Sequence, residues 1–133
     1  DNWGFRGLIW LGVLQRSLTG SGLAPAMRTS VAHFSVGDVS FATHPGETSP
    51  AYSLATRELL GSQHQFVLGL SQDAIGYILQ PDYFANPDRY PHADYLTSVS
   101  VGATAGPQIM AALAALVEAR REAEGTEPDS SVH

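Results

Sequence analysis

The residues best suited to chemistry centre on Glu47, in the stretch FATHPGETSP at residues 41–50. Glu47 follows a Pro-Gly turn and precedes a predicted helix, whose positive dipole end favours an ionised carboxylate. An ionised carboxylate on a turn is the kind of ligand that a zinc or calcium site uses. The simpler interpretation is a charge that only stabilises the end of the helix, and position alone favours that interpretation.

Four tyrosines and four histidines are the other titratable candidates. They are Tyr77, Tyr83, Tyr90, Tyr95, His33, His44, His64 and His92. Isolated histidines are more often polar surface or sheet-face residues than ligands. The pair Gly76-Tyr77 is typical of a turn glycine followed by an aromatic strand residue. His44 shares an ion with Glu47 only if the turn folds back, because zinc ligands lie about 2 Å from the metal.

Composition and charge argue against several classes of function. The 133 residues include no cysteine, so disulfides, thiolate zinc sites and cysteine nucleophiles are excluded. A net charge of −6, from 7 basic and 13 acidic residues, argues against nucleic-acid binding. The sequence has no Walker A loop, G-x-G-x-x-G, H-E-x-x-H or G-x-S-x-G motif. The apolar stretch GLIWLGVL at 7–14 is shorter than the ~20 residues of a transmembrane helix, and it lacks the flanks of a signal peptide.

The elements that must position these residues begin with predicted strands. Two apolar runs, RTSVAHF and DVSFATH, flank the turn SVGD and predict a β-hairpin. The run QFVLGL at 65–70 predicts a buried strand, and the short run YIL follows it after a turn. A loop is predicted over 81–95, and SVSVG at 98–102 predicts another short strand.

Two helices complete the predicted elements. The first has Ser49 as its N-cap, Pro50 at the first helical position and Gly61 at its exit. Its predicted apolar stripe is formed by Ala51, Leu54, Ala55 and Leu59. The second helix opens at Pro107, and its predicted apolar face is formed by Ile109, Met110, Leu113, Leu116 and Val117.

The alternation of strands and helices predicts the α/β class, with a mixed sheet and packing helices. We expect one domain, or a fragment of one, over residues 1–124 and a disordered tail at 125–133. Because the chain opens with DNWGF and no initiator Met, we expect a fragment or a processed chain.

The order of these motifs resembles a known family. The runs VAHFSVGDVSFATHPGETSP and FVLGLSQDAIGYILQPDYF, then Tyr95 and SVGATAGPQI, are similar to the C-terminal part of the catalytic domain of neutral/alkaline ceramidases. In that family a Gly-Asp turn leads a strand into Pro-Gly-Glu, and a second strand ends in Gly-Tyr. A later tyrosine opens a Tyr-Glu-Gly-Ala-Ser-Thr segment. The resemblance extends over residues 27–117.

The resemblance implies a zinc-dependent amidase that cleaves ceramide, or a related lipid amide, into a fatty acid and a sphingoid amine. In the family two histidines, a glutamate and a tyrosine hold the zinc, and the last two match Glu47 and Tyr77. Tyr95 matches a tyrosine placed near the reacting amide. The resemblance also implies that the chain is part of a larger α/β hydrolase domain, and it is compatible with a secreted or periplasmic location.

The sequence departs from the family at two places, and both change what we expect of its zinc site. The family's histidine ligands lie well upstream of Pro-Gly-Glu, whereas only 44 residues precede Pro45 here and the histidine motifs are missing. Leu96 follows Tyr95 in place of glutamate, and TSVS replaces Gly-Ala-Ser-Thr. We therefore expect half of a zinc site, inactive alone and completed by the upstream part of the domain or by a partner subunit. The alternatives are a non-catalytic α/β interaction or structural domain, and a related hydrolase acting on another amide or ester.

Overall fold

A computed structural model describes residues 27–126, so the apolar stretch at 7–14 and residues 127–133 of the predicted tail lie outside the described residues. The strands are β1 (His33–Val36), β2 (Val39–Thr43), β3 (Glu47–Thr48), β4 (His64–Leu68) and β5 (Tyr77–Ile78). The helices are α1 (Pro50–Leu60), α2 (Asp82–Ala85), α3 (Ala93–Ser98) and α4 (Ala105–Thr126), with a 3-10 turn at Pro87–Arg89. The α/β prediction is confirmed as a mixed sheet with packing helices.

The described strands form a three-stranded sheet in the order β1-β2-β4 and a two-stranded sheet of β3 and β5. Strands β1 and β2 are antiparallel, with Val36 opposite Val39 across the Gly37-Asp38 turn, which confirms the predicted hairpin. Strands β2 and β4 are parallel, and so are β3 and β5. The sheet is therefore mixed, as the sequence predicted.

Backbone hydrogen bonds extend both sheets into the turn that leads from β2 to β3. The amide of His44 donates to the carbonyl of Leu68 (2.8 Å), and that of Glu47 donates to Gly76 (3.0 Å). Gly46 lies between them, and a Cβ at this position would overlap the carbonyl oxygen of Gly76. Only glycine lets the two backbones approach this closely, and this approach fixes Glu47 beside Tyr77.

Helix α1 has the predicted ends but not the predicted buried face. Pro50 is its first residue, and Gly61 caps its C-terminus with a φ of 65°, a conformation that favours glycine. Ser49 occupies the N-cap position, but its side chain makes no capping hydrogen bond. Leu54, predicted to face the core, is 59% exposed, whereas Thr56 is fully buried. In this orientation Leu60 enters the core and the Thr56 hydroxyl bonds a buried histidine, as described below.

Helix α4 supplies three of the six buried residues in the core cluster of the described region, on the face that its periodicity predicted. It begins at Ala105, two residues before Pro107, and it buries Ile109, Leu113 and Val117. Leu116, which the sequence placed on the same face, is 41% exposed. The three buried side chains pack with Ala42 of β2, Leu60 of α1 and Ile78 of β5 in one core cluster.

The segment between β5 and α4 is more helical than predicted. Residues 81–95 contain α2, the 3-10 turn and the start of α3 rather than a plain loop. The strand predicted at 98–102 is wrong, because α3 runs to Ser98 and only Ser100 bridges Tyr77. The hydroxyl of Thr97 donates to the carbonyl of Ala93 (2.7 Å), a local bond that the helical turn permits and an extended strand does not.

Candidate functional site

The two predicted metal ligands are brought together by the parallel pairing of β3 with β5. Glu47 and Tyr77 are register partners, although they are far apart in the sequence. The Glu47 side chain is exposed and that of Tyr77 is half-buried. The pairing continues to Thr48 and Ile78, and Ile78 is fully buried. The buried residue anchors the strand, so its neighbour Tyr77 is held at the surface.

Tyr95 joins this pair from helix α3. Its ring centroid lies 6.4 Å from that of Tyr77, with an angle of 70° between the ring planes, which is an edge-to-face contact. The residues after α3 hold it there: the amide of Tyr77 donates to Val99 (3.2 Å), and the Ser100 hydroxyl donates to the carbonyl of Tyr77 (2.7 Å). The three predicted site residues thus form one cluster, called the Glu47 cluster below.

The charge of Glu47 controls the ionisation of Tyr77. The negative carboxylate is the largest cause that raises the pKa of Tyr77 above 10.0, followed by burial, the neighbouring Tyr95 and a hydrogen bond with Glu47. At neutral pH the Tyr77 hydroxyl is therefore protonated. A cation bound between the two oxygens would have to displace this proton, since ligands bind metals in their deprotonated form.

The Glu47 cluster offers two oxygen donors, a carboxylate and a phenol. A carboxylate and a phenol oxygen lie side by side, and oxygen donors are acceptable ligands for zinc. Within residues 27–126, however, no group of three or more His, Cys, Asp or Glu side chains could hold an ion. Because zinc in a catalytic site usually takes three protein ligands, the described residues by themselves do not supply a complete zinc ligand set.

His44, directly before Pro45, is fully buried and its two ring nitrogens are occupied. Nδ1 lies 3.0 Å from the Thr48 hydroxyl, and Nε2 lies 3.0 Å from the Thr56 hydroxyl. The Thr56 hydroxyl donates to the sulfur of Met110 (3.4 Å), so we assign the proton of His44 to Nε2 and let Nδ1 accept from Thr48. Burial lowers the pKa of His44, which is accordingly neutral. The alternative in which His44 joins Glu47 in one site is therefore not the arrangement observed.

The other histidines and tyrosines belong to separate groups. His33 lies on β1, and its Nδ1 is buried without a hydrogen-bond partner among the described residues. His64 approaches Asp38 at 3.7 Å, and His92 is exposed. Tyr83 and Tyr90 stack with a centroid distance of 3.8 Å, beside Asp82. None of these residues is a member of the Glu47 cluster.

Sequence reasoning missed a network of side-chain hydrogen bonds next to the Glu47 cluster. His44, Thr48 and Thr56 link the end of β2 to β3 and α1, and Thr48 directly follows Glu47 in the chain. A signal for this network was present: Thr56 lies one helical turn before the buried Leu60, on the face that a helix of this spacing buries. A polar residue at such a position needs a partner inside the protein.

No family model matches the chain, and neither a curated protein nor a solved structure matches it. No helix within residues 27–126 is long and apolar enough to cross a membrane. The described residues establish an α/β fold. A carboxylate and two phenols cluster where the two strands of its smaller sheet begin.

Proposed function

We propose that this chain is the C-terminal portion of a ceramidase-like, zinc-dependent amidohydrolase that cleaves a lipid amide. In this proposal it belongs to a larger α/β hydrolase domain. The supporting observation is the Glu47 cluster, in which Glu47, Tyr77 and Tyr95 meet although they come from β3, β5 and α3. These are the residues that the resemblance to neutral/alkaline ceramidases assigns to the site.

Each residue of the cluster has a role that its environment supports. Glu47 and Tyr77 supply two ligands, and Tyr77 gives up its hydroxyl proton as it becomes one. A zinc ion held there would supply Lewis-acid activation of a water molecule and of the amide carbonyl. Tyr95, with a side chain 60% exposed beside Tyr77, is free to contact a substrate.

Tyr95 has the chemistry to stabilise the developing oxyanion. When water adds to the amide carbon, negative charge develops on the carbonyl oxygen, and a phenol hydroxyl can donate a hydrogen bond to it. The carbon–nitrogen bond then breaks, and a proton passes to the leaving amine. The products are a fatty acid and a sphingoid amine.

Two histidine ligands must be added to complete this site. We propose that they come from the upstream part of the same domain or from a partner subunit, and that the isolated chain is inactive.

Zinc content tests the proposal directly. Elemental analysis would be made on this chain and on a longer protein that contains it, each with Glu47→Gln and Tyr77→Phe variants. Matched controls are Glu58→Gln and Tyr83→Phe, which change the same residue types on α1 and α2. We expect zinc in the longer protein, lost in the two site variants and kept in both controls. Absence of zinc from the longer protein would contradict the proposal.

The second candidate is a non-catalytic α/β interaction or structural domain that retains only the scaffold. It is favoured by the absence of a three-residue ligand group within residues 27–126 and by Leu96 in place of the family's glutamate. A longer protein that binds no zinc and hydrolyses no lipid amide would establish this alternative. Zinc binding together with hydrolysis of a different amide or ester would indicate the related-hydrolase alternative.

A further inference from the structure

The three-stranded sheet has a strongly apolar face that no described element covers. Side chains alternate along its strands, and Ser40 and Ala42 of β2 point toward the core built with α1 and α4. The opposite side presents the residues between them. We call the apolar part of this side the aromatic face; it is formed by Phe34, Val36, Val39, Phe41, Phe66 and Leu68, and the polar residues Thr43 and His64 lie at its margins.

Three phenylalanines form a continuous row across the aromatic face. Phe34 is the register partner of Phe41, and Phe41 is that of Phe66. Their rings stack, with centroid distances of 4.9 Å and 5.4 Å and interplanar angles of 7° and 18°. One strand after another thus contributes an aromatic ring to the same surface.

The exposure of this row is unusual. Phe66 is 51% exposed and Phe34 is 41% exposed, and Val36 and Leu68 extend the apolar surface on either side. Contiguous exposed apolar patches mark binding surfaces in soluble proteins. Strands paired in parallel, as β2 and β4 are, are normally covered on both faces. A second layer is therefore missing from the described residues.

The sequence before Met27 has the composition of such a layer. Residues 3–14, WGFRGLIWLGVL, carry one charge and eight apolar side chains. The chain enters the described region beside the same sheet, because Thr29 donates a hydrogen bond to Asp73 and Ser30 donates one to Gln72, in the loop that follows β4. An extended linker from residue 14 to residue 29 reaches up to about 50 Å, whereas the row of three strands spans about 10 Å.

We propose that residues 3–14 of this chain pack against the aromatic face and form the second layer of the sheet. The argument rests on the uncovered row of phenylalanines, on the apolar character of the segment and on the short distance that its linker has to cover. It is independent of the zinc proposal, because none of these residues belongs to the Glu47 cluster.

Tryptophan fluorescence of the 133-residue chain tests this proposal. The two tryptophans, Trp3 and Trp10, both lie in the segment, so their emission reports on the segment alone. The emission maximum and the quenching by acrylamide would be measured at concentrations where light scattering shows a monomer. The test variants are Phe66→Ser and Phe34→Ser, and the matched control is Leu54→Ser, which changes another exposed apolar residue, on α1.

We expect blue-shifted emission and weak quenching in the unmodified chain and in Leu54→Ser. In Phe66→Ser and in Phe34→Ser we expect a red shift and stronger quenching, while the far-ultraviolet circular dichroism of the folded domain is retained. If one of the two variants loses the circular dichroism signal of the folded domain, the other variant supplies the test. Solvent-exposed tryptophans in the unmodified monomer would overturn the proposal. So would protection that appears only on dimerisation, which would make a second copy the occupant, or an equal response in Leu54→Ser.

Discussion

Glu47 and Tyr77 place a negative charge against a neutral phenol. The carboxylate is the first cause of the raised pKa of Tyr77, and Tyr90 has a raised pKa for a parallel reason, since its hydroxyl donates to Asp82 (2.7 Å). The two tyrosines therefore form matched acid–phenol pairs, of which only the first belongs to the Glu47 cluster. Tyr90 and Asp82 can therefore serve as an internal control for measurements on Tyr77 and Glu47.

Replacing Glu47 by Gln should lower the pKa of Tyr77 toward its ordinary value of 10.0, because the charge that opposes the phenolate is removed. Alkaline titration followed by NMR of the tyrosine rings measures this change. Asp82→Asn is the control, and it should lower the pKa of Tyr90 without changing that of Tyr77. An unchanged Tyr77 titration in Glu47→Gln would show that the carboxylate is not in contact with the phenol.

Part of the residue-level picture could be predicted from the sequence. Pro-Gly-Glu and Gly-Tyr marked Glu47 and Tyr77, and both lie in the cluster. The burial of His44 could not be predicted, because the neighbouring Pro45 and Gly46 indicate a surface turn. Its burial depends on hydroxyl groups from β3 and α1, and sequence neighbours do not reveal that pairing.

At the scale of elements, the turn that contains Gly46 connects β2 of the larger sheet to β3 of the smaller one. An added Cβ at Gly46 would overlap the carbonyl of Gly76 and would also meet Ile78 and Ile75 at 3.2 Å and 3.3 Å. The first of these contacts is with the backbone, so the strain cannot be relieved by rotating a side chain. Strands β3 and β5 would have to move apart.

We expect Gly46→Ala to lower the free energy of unfolding by about 1–3 kcal/mol, the usual cost of overpacking. It should also shift the titration of Tyr77, because the pairing that brings Glu47 to Tyr77 is disturbed. Urea denaturation and tyrosine titration measure the two effects. The control is Gly69→Ala, whose Cβ would meet its nearest neighbour, the carbonyl of Gly46, at 3.5 Å, an ordinary contact. Equal stability of the two variants would contradict the expected overlap.

For the whole molecule, acidity acts through two histidines, of which His44 is fully buried and His33 is half-buried. Burial lowers the pKa of His44 below its ordinary value of 6.5, and burial is also the main cause of the lowered pKa of His33, assisted by Arg120. The unfolded chain takes up protons near the ordinary pKa, whereas the folded chain takes them up only at lower pH. The free energy of unfolding therefore falls as the pH drops through this range.

We expect urea denaturation between about pH 8 and pH 5 to show this loss of stability. His44→Gln should reduce the slope, and His92→Asn, which changes an exposed histidine, is the matched control. Asparagine suits this control because His92 has a φ of 58°, a conformation that asparagine tolerates. A free energy of unfolding that stays constant or rises toward pH 5 would contradict the lowered pKa values of His44 and His33.

Local signals in the sequence by themselves determined the α/β class, the hairpin, the ends of α1 and the core face of α4. Proline, glycine and hydrophobic periodicity act on neighbouring residues, so they can be read without the fold. Only the tertiary structure decided that Thr56 rather than Leu54 is buried, that Ser100 bridges Tyr77 in place of a strand, and that Glu47, Tyr77 and Tyr95 meet. Each of these outcomes depends on which distant segments pair, and the free energy of that pairing comes from contacts between elements rather than within them.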